Sequence, residues 1–343
     1  MDNLVGMTFE RWRKALKENH YAIEPRYWKR AFKLTTMTIM TSAATRSMLK
    51  PFEAQIAEAT PPTPTFVLGH WRSGTTLLHS ILSQDERWGW PTIGDISNPF
   101  LFLGLKMNTR PEAAKRRKRK RAMDNVEFDP SSPGEDEFAL SKLTLRSPLM
   151  GWSFTKNEAF YDRFITFRQA TPKEIQEWKD GFLWFLKALQ VKYGKPMLLK
   201  SPPHTGRVKL MLKMFPDAKF VAIHRHPYQV YRSTQHFYKK ALPFGHLQTP
   251  PPQQIQAGIL RRYQDMHQAF FEDRALIPSG HLHELAYEDL VQDVMSETEK
   301  IYQSLGLNGF DKVLPKLETW VDENHRNYQR NPDQPLSDAL KSQ

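Results

Sequence analysis

The sequence predicts an α/β protein in which helices flank a parallel sheet, preceded by an N-terminal helical extension. Three observations predict this class. Short, continuous apolar runs are typical of buried strands, the segments between them carry apolar residues at helical spacing, and a glycine-bounded loop joins the first apolar run to the next helix. Strands of a parallel sheet are covered on both faces, so they show continuous apolar runs rather than alternating ones.

Residues 1–60 are predicted to form the helical extension. Phe9, Trp12 and Leu16 recur at helical spacing in its first part. Three prolines follow between positions 61 and 64 and break the chain. We therefore expect the extension to end there and residues 61–343 to form one α/β domain.

Strands and helices alternate along this predicted domain. Thr171 and Glu174 have the spacing of a capping box, which predicts a long helix that begins at Pro172 and ends near Gly194. The strands are predicted at 66–68, 197–199, 220–223 and 282–287. Further helices follow from apolar residues spaced for one helix face, namely Leu77, Leu78, Ile81 and Leu82; Val208, Met211, Leu212 and Phe215; and Ile255, Ile259, Tyr263, Met266 and Phe270.

Composition excludes several classes of protein. With 40% hydrophobic and 12% aromatic residues, the chain can bury a sizeable core, so wholesale disorder is excluded. The absence of cysteine excludes a disulfide scaffold, a thiolate metal site and a cysteine nucleophile. The 49 basic and 37 acidic side chains leave a net charge of +12, which favours an anionic ligand, a nucleic acid or an anionic membrane as partner.

No segment reaches the roughly 18 apolar residues of a membrane span. Asp2 stands where a signal peptide would carry basic residues, so we expect a cytoplasmic protein. Two alternatives stay open for the semi-apolar stretch Leu34–Ala44, which is either a core helix or a helix that lies peripherally in a membrane interface. The second alternative draws on the cations that precede the stretch, which are Arg26, Lys29, Arg30 and Lys33.

A phosphate-binding loop is predicted directly after the first strand. Gly69 and Gly74 have the spacing of a P-loop, and such a loop directs backbone N–H groups and a helix N-terminus at an anion. Thr75 and Thr76 stand where nucleoside triphosphate enzymes carry Lys and Ser or Thr, and the cation is instead Arg72 within the loop. The pattern therefore favours a P-loop-like sheet that binds a terminal phosphate.

A second anion-binding element is predicted after the third strand of the sequence. Arg225 falls at the end of that strand, Pro227 suits the start of a helix, and Ser233 follows about two turns later. The guanidinium supplies a planar fork and the serine a rotatable hydroxyl, and the two can converge on one phosphate.

These segments together resemble the sulfotransferases that use 3′-phosphoadenosine-5′-phosphosulfate (PAPS). The resemblance rests on GHWRSGTTLLH from residue 69, LKSPPH from residue 199, the element from Arg225 to Ser233, and YEDL from residue 287. The chain is similar to bacterial-type members of this family and, more distantly, to the tyrosylprotein and heparan sulfate sulfotransferases. The resemblance implies an enzyme that moves a sulfuryl group from PAPS to a hydroxyl or amine acceptor by in-line displacement with a general base.

The resemblance also implies roles for individual residues. Lys200 would lie beside the sulfuryl group, and Arg225 and Ser233 would hold the 3′-phosphate. No metal is required, because PAPS carries its sulfonate on a single phosphate and has no β/γ bridge for Mg²⁺ to clamp. The 5′-phosphosulfate would be held by Arg72, Ser73, Gly74, Thr75 and Thr76.

The general base is predicted less directly. An acidic cluster at Glu135–Glu137 follows a Pro/Ser/Gly turn, and carboxylates that lie close together raise one another's pKa. We take Glu137 as the first candidate and Asp136 as the second; the alternative is a solvated acidic helix start. Asp95 and His204 are further candidates, the former from its distance along the chain after the loop and the latter from its position after Lys200.

Two other functions stay open at this point. One is a P-loop kinase or NTPase. The other is a non-enzymatic protein that binds a nucleic acid or a membrane surface through the basic run Lys115–Arg121, although aromatic residues for stacking on bases do not flank that run. We expect a small-molecule or lipid-like hydroxylated acceptor and no nucleic acid partner. The sequence leaves the acceptor's identity and the oligomeric state open.

Overall fold

The computed structural model describes residues 2–105, 119–120 and 127–324. The strands are β1 (Thr65–Leu68), β2 (Arg119–Lys120), β3 (Glu127–Phe128), β4 (Leu198–Lys200), β5 (Lys219–His224) and β6 (Leu282–Ala286). The helices are α1 (Phe9–Glu18), α2 (Trp28–Leu49), α3 (Glu53–Glu58), α4 (Thr75–Leu82), α5 (Ile93–Ser97), α6 (Glu137–Thr144), α7 (Met150–Ser153), α8 (Glu158–Asp162), α9 (Pro172–Tyr193), α10 (Val208–Met214), α11 (Pro227–Lys240), α12 (Pro252–Asp273), α13 (Tyr287–Gln292), α14 (Val294–Ser304) and α15 (Phe310–Asn324).

The main sheet has four parallel strands in the order β4-β1-β5-β6. Strand β1 lies in the middle of the sheet and pairs with β4 on one side and β5 on the other. Its side chains Phe66, Val67 and Leu68 are completely buried. The predicted α/β class with a parallel sheet flanked by helices is thus confirmed. Since all four strands run the same way, their carboxyl ends meet at one edge, and the loops that follow them lie together.

Helix α9 begins and ends where its sequence signals predict. Thr171 and Glu174 form both hydrogen bonds of the capping box, and Gly194 ends the helix in a left-handed conformation with φ 61°. The helix buries Trp178 and Phe182 in the main core beside the sheet. The core therefore fixes α9 and the turn at its C-terminus, which leads into β4.

The N-terminal helices pack on this α/β unit. Trp12 of α1 is buried and donates a hydrogen bond from Nε1 to Oγ1 of Thr35 in α2, at 2.9 Å. Helix α1 contacts α6, and α3 contacts α9. In α2, only three of the 22 residues are buried, namely Ala31, Leu34 and Thr38. The stretch Leu34–Ala44 therefore belongs to a helix with one face on the protein and the opposite face exposed.

Among the described helices, none combines the length and the apolar composition needed to cross a bilayer. Of the basic run Lys115–Arg121, the structure describes only Arg119 and Lys120, which form β2. The other residues of that run lie outside the described residues, so its predicted role stays a prediction.

Candidate functional site

The predicted phosphate loop connects the end of β1 to the start of α4. Gly69 has φ 145°, and a Cβ at this position would lie 2.5 Å from the carbonyl oxygen of Ile223. Gly74 has φ 105°, and a Cβ there would lie 2.4 Å from Cδ2 of Tyr287. Both positions thus require glycine, because the backbone is left-handed and neighbouring atoms fill the space. The tight turn directs the N-terminus of α4, with its backbone N–H groups, at the carboxyl edge of the sheet.

Hydrogen bonds within the loop, and one from the loop to the turn that follows β4, hold this shape. The backbone N–H of Gly69 donates to Oγ1 of Thr205 at 2.7 Å. Ser73 donates from Oγ to the carbonyl oxygen of His70 at 2.8 Å. Both Ser73 and Thr75 are buried in the loop. The loop is therefore preformed, so little ordering is needed when an anion binds.

The structure brings the second predicted anion element directly against the loop. Nε of Arg72 donates to Oγ of Ser233 on α11 at 2.9 Å, although the two residues are 161 positions apart. Arg225, which follows β5, donates from Nη1 to the carbonyl oxygen of Arg72 at 3.4 Å and from Nε to Gln229 at 2.9 Å. Its guanidinium also lies over the ring of Tyr287, at 4.4 Å from the centroid. Two cations and a hydroxyl from three separate segments thus share one corner of the site.

Lys200 lies on the other side of the loop. It ends β4, where it pairs in register with Val67 of β1, and its side chain is buried. Nζ lies 2.6 Å from Oε1 of Glu135 and 3.5 Å from Oγ1 of Thr76 in the first turn of α4. Glu135 keeps 19% of its side-chain surface exposed. A lysine and a carboxylate that is still accessible therefore meet at the loop.

A turn before α6 positions Glu135. Asp129 accepts hydrogen bonds from the backbone of Ser131 and Ser132 and closes the turn. The backbone N–H of Gly134 then donates to the carbonyl oxygen of Pro91 at 2.8 Å. These contacts hold the chain immediately before Glu135, so the carboxylate is directed by a fixed segment of backbone.

Glu137 and Asp136, the two preferred candidates for the base, do not lie at the loop. Glu137 is completely buried and forms a two-pronged ion pair with Arg207, with distances of 2.7 and 2.9 Å. Asp136 is also completely buried and lies 2.6 Å from Nε2 of His204 and 3.0 Å from Oγ of Ser201. The oxygens of both carboxylates are occupied in a closed core, away from the loop, so this placement does not favour either as the base, and the base stays a prediction.

His204 and Asp95 also lie in a closed core, which does not favour them as the base. His204 is completely buried between Asp136 and the ring of Phe66. Burial alone would raise the pKa of Asp136, but His204 and Ser201 more than offset it and hold that pKa below its usual value. Asp95 is completely buried and accepts hydrogen bonds from Lys192 and Tyr193, both at 2.6 Å. These side chains build the core beneath the site.

An aromatic cavity adjoins the first half of the loop. Its closed space is about 10 Å³, room for about one water molecule, and Trp71, Trp152 and Phe237 form part of its wall. Trp71 Nε1 and His70 Nε2 are buried, and neither has a hydrogen-bond partner among the described residues. The cavity is completed by His70, Thr234, Tyr238, Ile259 and Arg262.

His70 presents an acceptor atom in this wall. Its Nδ1 lies 2.7 Å from the carbonyl oxygen of Trp71, which can only accept, so Nδ1 carries the proton and Nε2 is free of one. Burial lowers the pKa of His70 to about 3, which keeps the ring neutral. Trp71 Nε1 and His70 Nε2 are therefore one buried donor and one buried acceptor on residues that line the cavity.

Sequence reasoning missed Glu135 and the cavity. Glu135 directly follows the turn at Gly134, so its carboxylate lies outside the helix. Asp136 and Glu137 already belong to the start of α6. Trp71 occupies a loop position that the sequence analysis left without a role. Phe138 connects the two features, since it packs against Trp152 with ring centroids 6.4 Å apart and lies three residues after Glu135.

Comparison with known proteins agrees with this geometry. A family model described as "Sulfotransferase family" matches residues 64–312. The omega-hydroxy-beta-dihydromenaquinone-9 sulfotransferases of Mycobacterium bovis and Mycobacterium tuberculosis are each 33% identical over 328 residues, which is 95% of this chain and 84% of the relative.

Solved structures agree with the fold. Sulfotransferase STF1 from Mycobacterium tuberculosis H37Rv superposes with a TM-score of 0.66 at 18% identity. The superposition covers 91% of this chain and 87% of the STF1 chain. Sulfotransferase STF9 from Mycobacterium avium has a TM-score of 0.63 at 15% identity, covering 95% and 90%. These comparisons do not favour a kinase or NTPase. The chain belongs to the sulfotransferase family and is an enzyme that transfers a sulfuryl group.

Proposed function

We propose that this enzyme transfers the sulfuryl group of PAPS to a hydroxyl group on an apolar, lipid-like acceptor. The observation that carries the proposal is the contact between Arg72 and Ser233, 2.9 Å apart, which joins the two anion-binding elements into one site. A nucleotide with phosphate groups at both its 3′ and 5′ positions needs two such elements within reach of each other. A nucleoside triphosphate would instead need a lysine where Thr75 stands.

The residues present fit PAPS. The loop from Arg72 to Thr76 would hold the 5′-phosphosulfate, because Gly69 and Gly74 allow the positive-φ turn that places the N-terminus of α4 and its backbone N–H groups at the loop. Arg225 and Ser233 would hold the 3′-phosphate. When bound, PAPS supplies a sulfuryl group activated by a phosphate leaving group. Among the described residues, no three His, Asp or Glu side chains are grouped as a metal site.

Glu135 is the general base in this proposal, in place of Glu137. Its Oε1 lies 2.6 Å from Nζ of Lys200, which keeps the carboxylate oriented toward the start of α4. The carboxylate accepts the proton of the acceptor hydroxyl as the oxygen attacks. Lys200 and the loop residue Arg72 would stabilise the negative charge that develops on the leaving phosphate oxygen.

The aromatic side chains around this cavity, Trp152 and Phe237 among them, are proposed to contact the apolar part of the acceptor next to its hydroxyl. Because the space between them holds only about one water molecule, these side chains would have to shift for the acceptor to enter. The Mycobacterium bovis relative is named for an omega-hydroxy menaquinone, which joins a hydroxyl to an apolar molecule. The same chemistry suits these aromatic side chains.

Ligand-induced thermal stabilisation tests the donor. Adenosine 3′,5′-bisphosphate, the product of PAPS, is expected to raise the melting temperature in the presence of EDTA, because the site needs no metal to hold it. ATP with Mg²⁺ is expected to have little effect. Stabilisation by ATP–Mg²⁺ without stabilisation by the bisphosphate would overturn the proposal. Transfer of labelled sulfate from PAPS to a panel of hydroxylated lipids and to soluble phenols then tests the acceptor class.

A further inference from the structure

Large hydrophobic side chains are exposed on one region of the N-terminal helices. Ten such side chains are exposed among the described residues, and six of them lie on α2, just before it, or in the turn after α11. Trp28 is 62% exposed, Phe32 77% and Phe244 79%. We call these six side chains the apolar face; they are Tyr21, Trp28, Phe32, Ile39, Met40 and Phe244.

The positions on α2 share one side of the helix. Trp28 and Phe32 are four residues apart, and Ile39 follows seven residues after Phe32, so at about 100° per residue the three point in similar directions. The buried Leu34 and Thr38 lie on a different side of α2. A single exposed apolar residue is ordinary, whereas a row of them along a helix indicates a surface that contacts something.

Hydrogen bonds join the turn that bears Phe244 to the start of α2. Nη1 of Arg30 donates to the carbonyl oxygen of His246 at 3.5 Å. The backbone N–H of Glu24 donates to the carbonyl oxygen of Leu247 at 3.1 Å. Trp28 is itself anchored through Nε1 to the carbonyl oxygen of Ile23, at 3.3 Å. The turn that bears Phe244 is therefore held against the start of α2.

The charges beside this face are positive. Helix α2 contains no acidic residue, and Lys29 and Lys33 are exposed next to Trp28 and Phe32. Lys239 and Lys240 are exposed just before the turn of Phe244. The nearby acids are engaged, since Asp2 pairs with Arg30 and Glu24 pairs with Arg26 and Lys156. Apolar side chains flanked by lysines match the boundary between acyl chains and anionic head groups.

We propose that the apolar face docks on an anionic membrane surface, with its aromatic side chains in the interface and the lysines on the head groups. A second copy of this chain is the less favoured occupant, because the same lysines would then face each other and repel. This proposal does not rest on the proposed function. It complements that function, since Leu242, two residues before Phe244, is buried in the apolar cluster that contains Trp71 and Trp152 of the cavity wall.

Vesicle sedimentation tests the proposal with the full chain. Wild-type protein is expected to sediment with vesicles that contain one third phosphatidylglycerol and much less with pure phosphatidylcholine, and added salt should weaken the binding. Trp28→Ser combined with Phe32→Ser should abolish it. Lys29→Glu combined with Lys33→Glu should weaken it by about 30-fold or more, from about 1 kcal/mol for each lysine lost.

Two matched controls make the test specific. Lys209→Glu combined with Lys213→Glu makes the same charge change at the same spacing on exposed positions of α10. Phe271→Ser removes an aromatic side chain that is 57% exposed on α12. Both controls should keep vesicle binding close to that of the wild type, and a cooperative thermal melt followed by circular dichroism reports that each variant is folded.

Three results would overturn the proposal. The first is wild-type protein that stays in the supernatant with anionic vesicles at low salt. The second is an equal loss of binding in the control variants. The third is a wild-type dimer, measured by light scattering, that Phe32→Ser converts to a monomer while vesicles have no effect, which would assign the face to a second copy.

Discussion

The guanidinium of Arg72 and the hydroxyl of Ser233 are 2.9 Å apart, and each belongs to a different anion-binding element. Arg72 lies in the turn after the central strand β1, and Ser233 lies two turns into α11, after the neighbouring strand β5. Because β1 and β5 are parallel and adjacent, the elements that follow them meet at the same edge of the sheet. The sheet order thus brings together the two elements that we propose to hold the two phosphate groups of one ligand.

Replacement of Arg72 or Ser233 should weaken nucleotide binding without unfolding the protein. We expect Arg72→Ala to reduce the affinity for adenosine 3′,5′-bisphosphate about 10- to 100-fold, the loss of one charged hydrogen-bond donor, and Ser233→Ala to reduce it by less. Titration calorimetry measures both. Arg274→Ala, at an exposed arginine paired with Glu284, is the control and should bind normally. Unchanged affinity in both site variants would refute the site.

Glu135→Gln should separate catalysis from binding. Without a base, turnover is expected to fall about 10²- to 10⁴-fold, while the affinity for adenosine 3′,5′-bisphosphate stays close to that of the wild type. Initial rates with PAPS, together with a bisphosphate titration of the same preparation, measure the two quantities. Wild-type turnover in this variant would remove Glu135 from the mechanism.

Glu137→Gln should instead act on stability. Its carboxylate is completely buried against Arg207, so removal of its charge leaves a buried guanidinium without a counter-charge. We expect the free energy of unfolding to fall by about 3–5 kcal/mol. Urea denaturation of both glutamate variants gives the comparison, and a Glu137→Gln protein as stable as Glu135→Gln would contradict the assignment.

Gly74→Ala tests the shape of the loop. Gly74 and Gly194 both have positive φ, but a Cβ would lie 2.4 Å from Tyr287 at Gly74, whereas at Gly194 no atom lies within 4 Å. Both substitutions cost about 1 kcal/mol from backbone strain. Only Gly74→Ala is expected to distort the loop and to reduce the affinity for the bisphosphate. Equal effects of the two substitutions on that affinity would show that the contact with Tyr287 does not matter.

Stability should fall as the solution is acidified below about pH 6.5. Burial lowers the pKa of His79 to about 3, with the nearby Lys200 as a further cause, so the folded protein binds a proton less readily than the unfolded chain. The stabilisation is complete above the unfolded pKa and is lost as the pH falls toward the folded one. At pH 5 this single histidine is expected to cost about 2 kcal/mol.

Urea denaturation of wild-type protein and of a His79→Gln variant, each at pH 7 and pH 5, measures this effect. The variant lacks the titrating ring, so its free energy of unfolding should change less between the two pH values. The same pH dependence in both proteins would assign the effect to other groups, such as His70, whose pKa is also about 3.

The features that the sequence determined are those set by neighbours along the chain. The capping box of Thr171 and Glu174, the apolar run of β1 and the glycines of the loop each depend on contacts within a few residues, so a short segment carries their signal. The resemblance to sulfotransferases rests on such segments too. The parallel sheet followed from the order of these elements.

Only the tertiary structure decided which carboxylate lies at the loop. Glu135, Asp136 and Glu137 are consecutive, but Glu135 precedes α6, Asp136 is its N-cap and Glu137 its first residue, so the three side chains point in different directions. Arg207 pairs with Glu137, and His204 pairs with Asp136. Lys200 pairs with Glu135. The exposure of Phe32 was decided in the same way, because a helix face is buried only where another element packs on it.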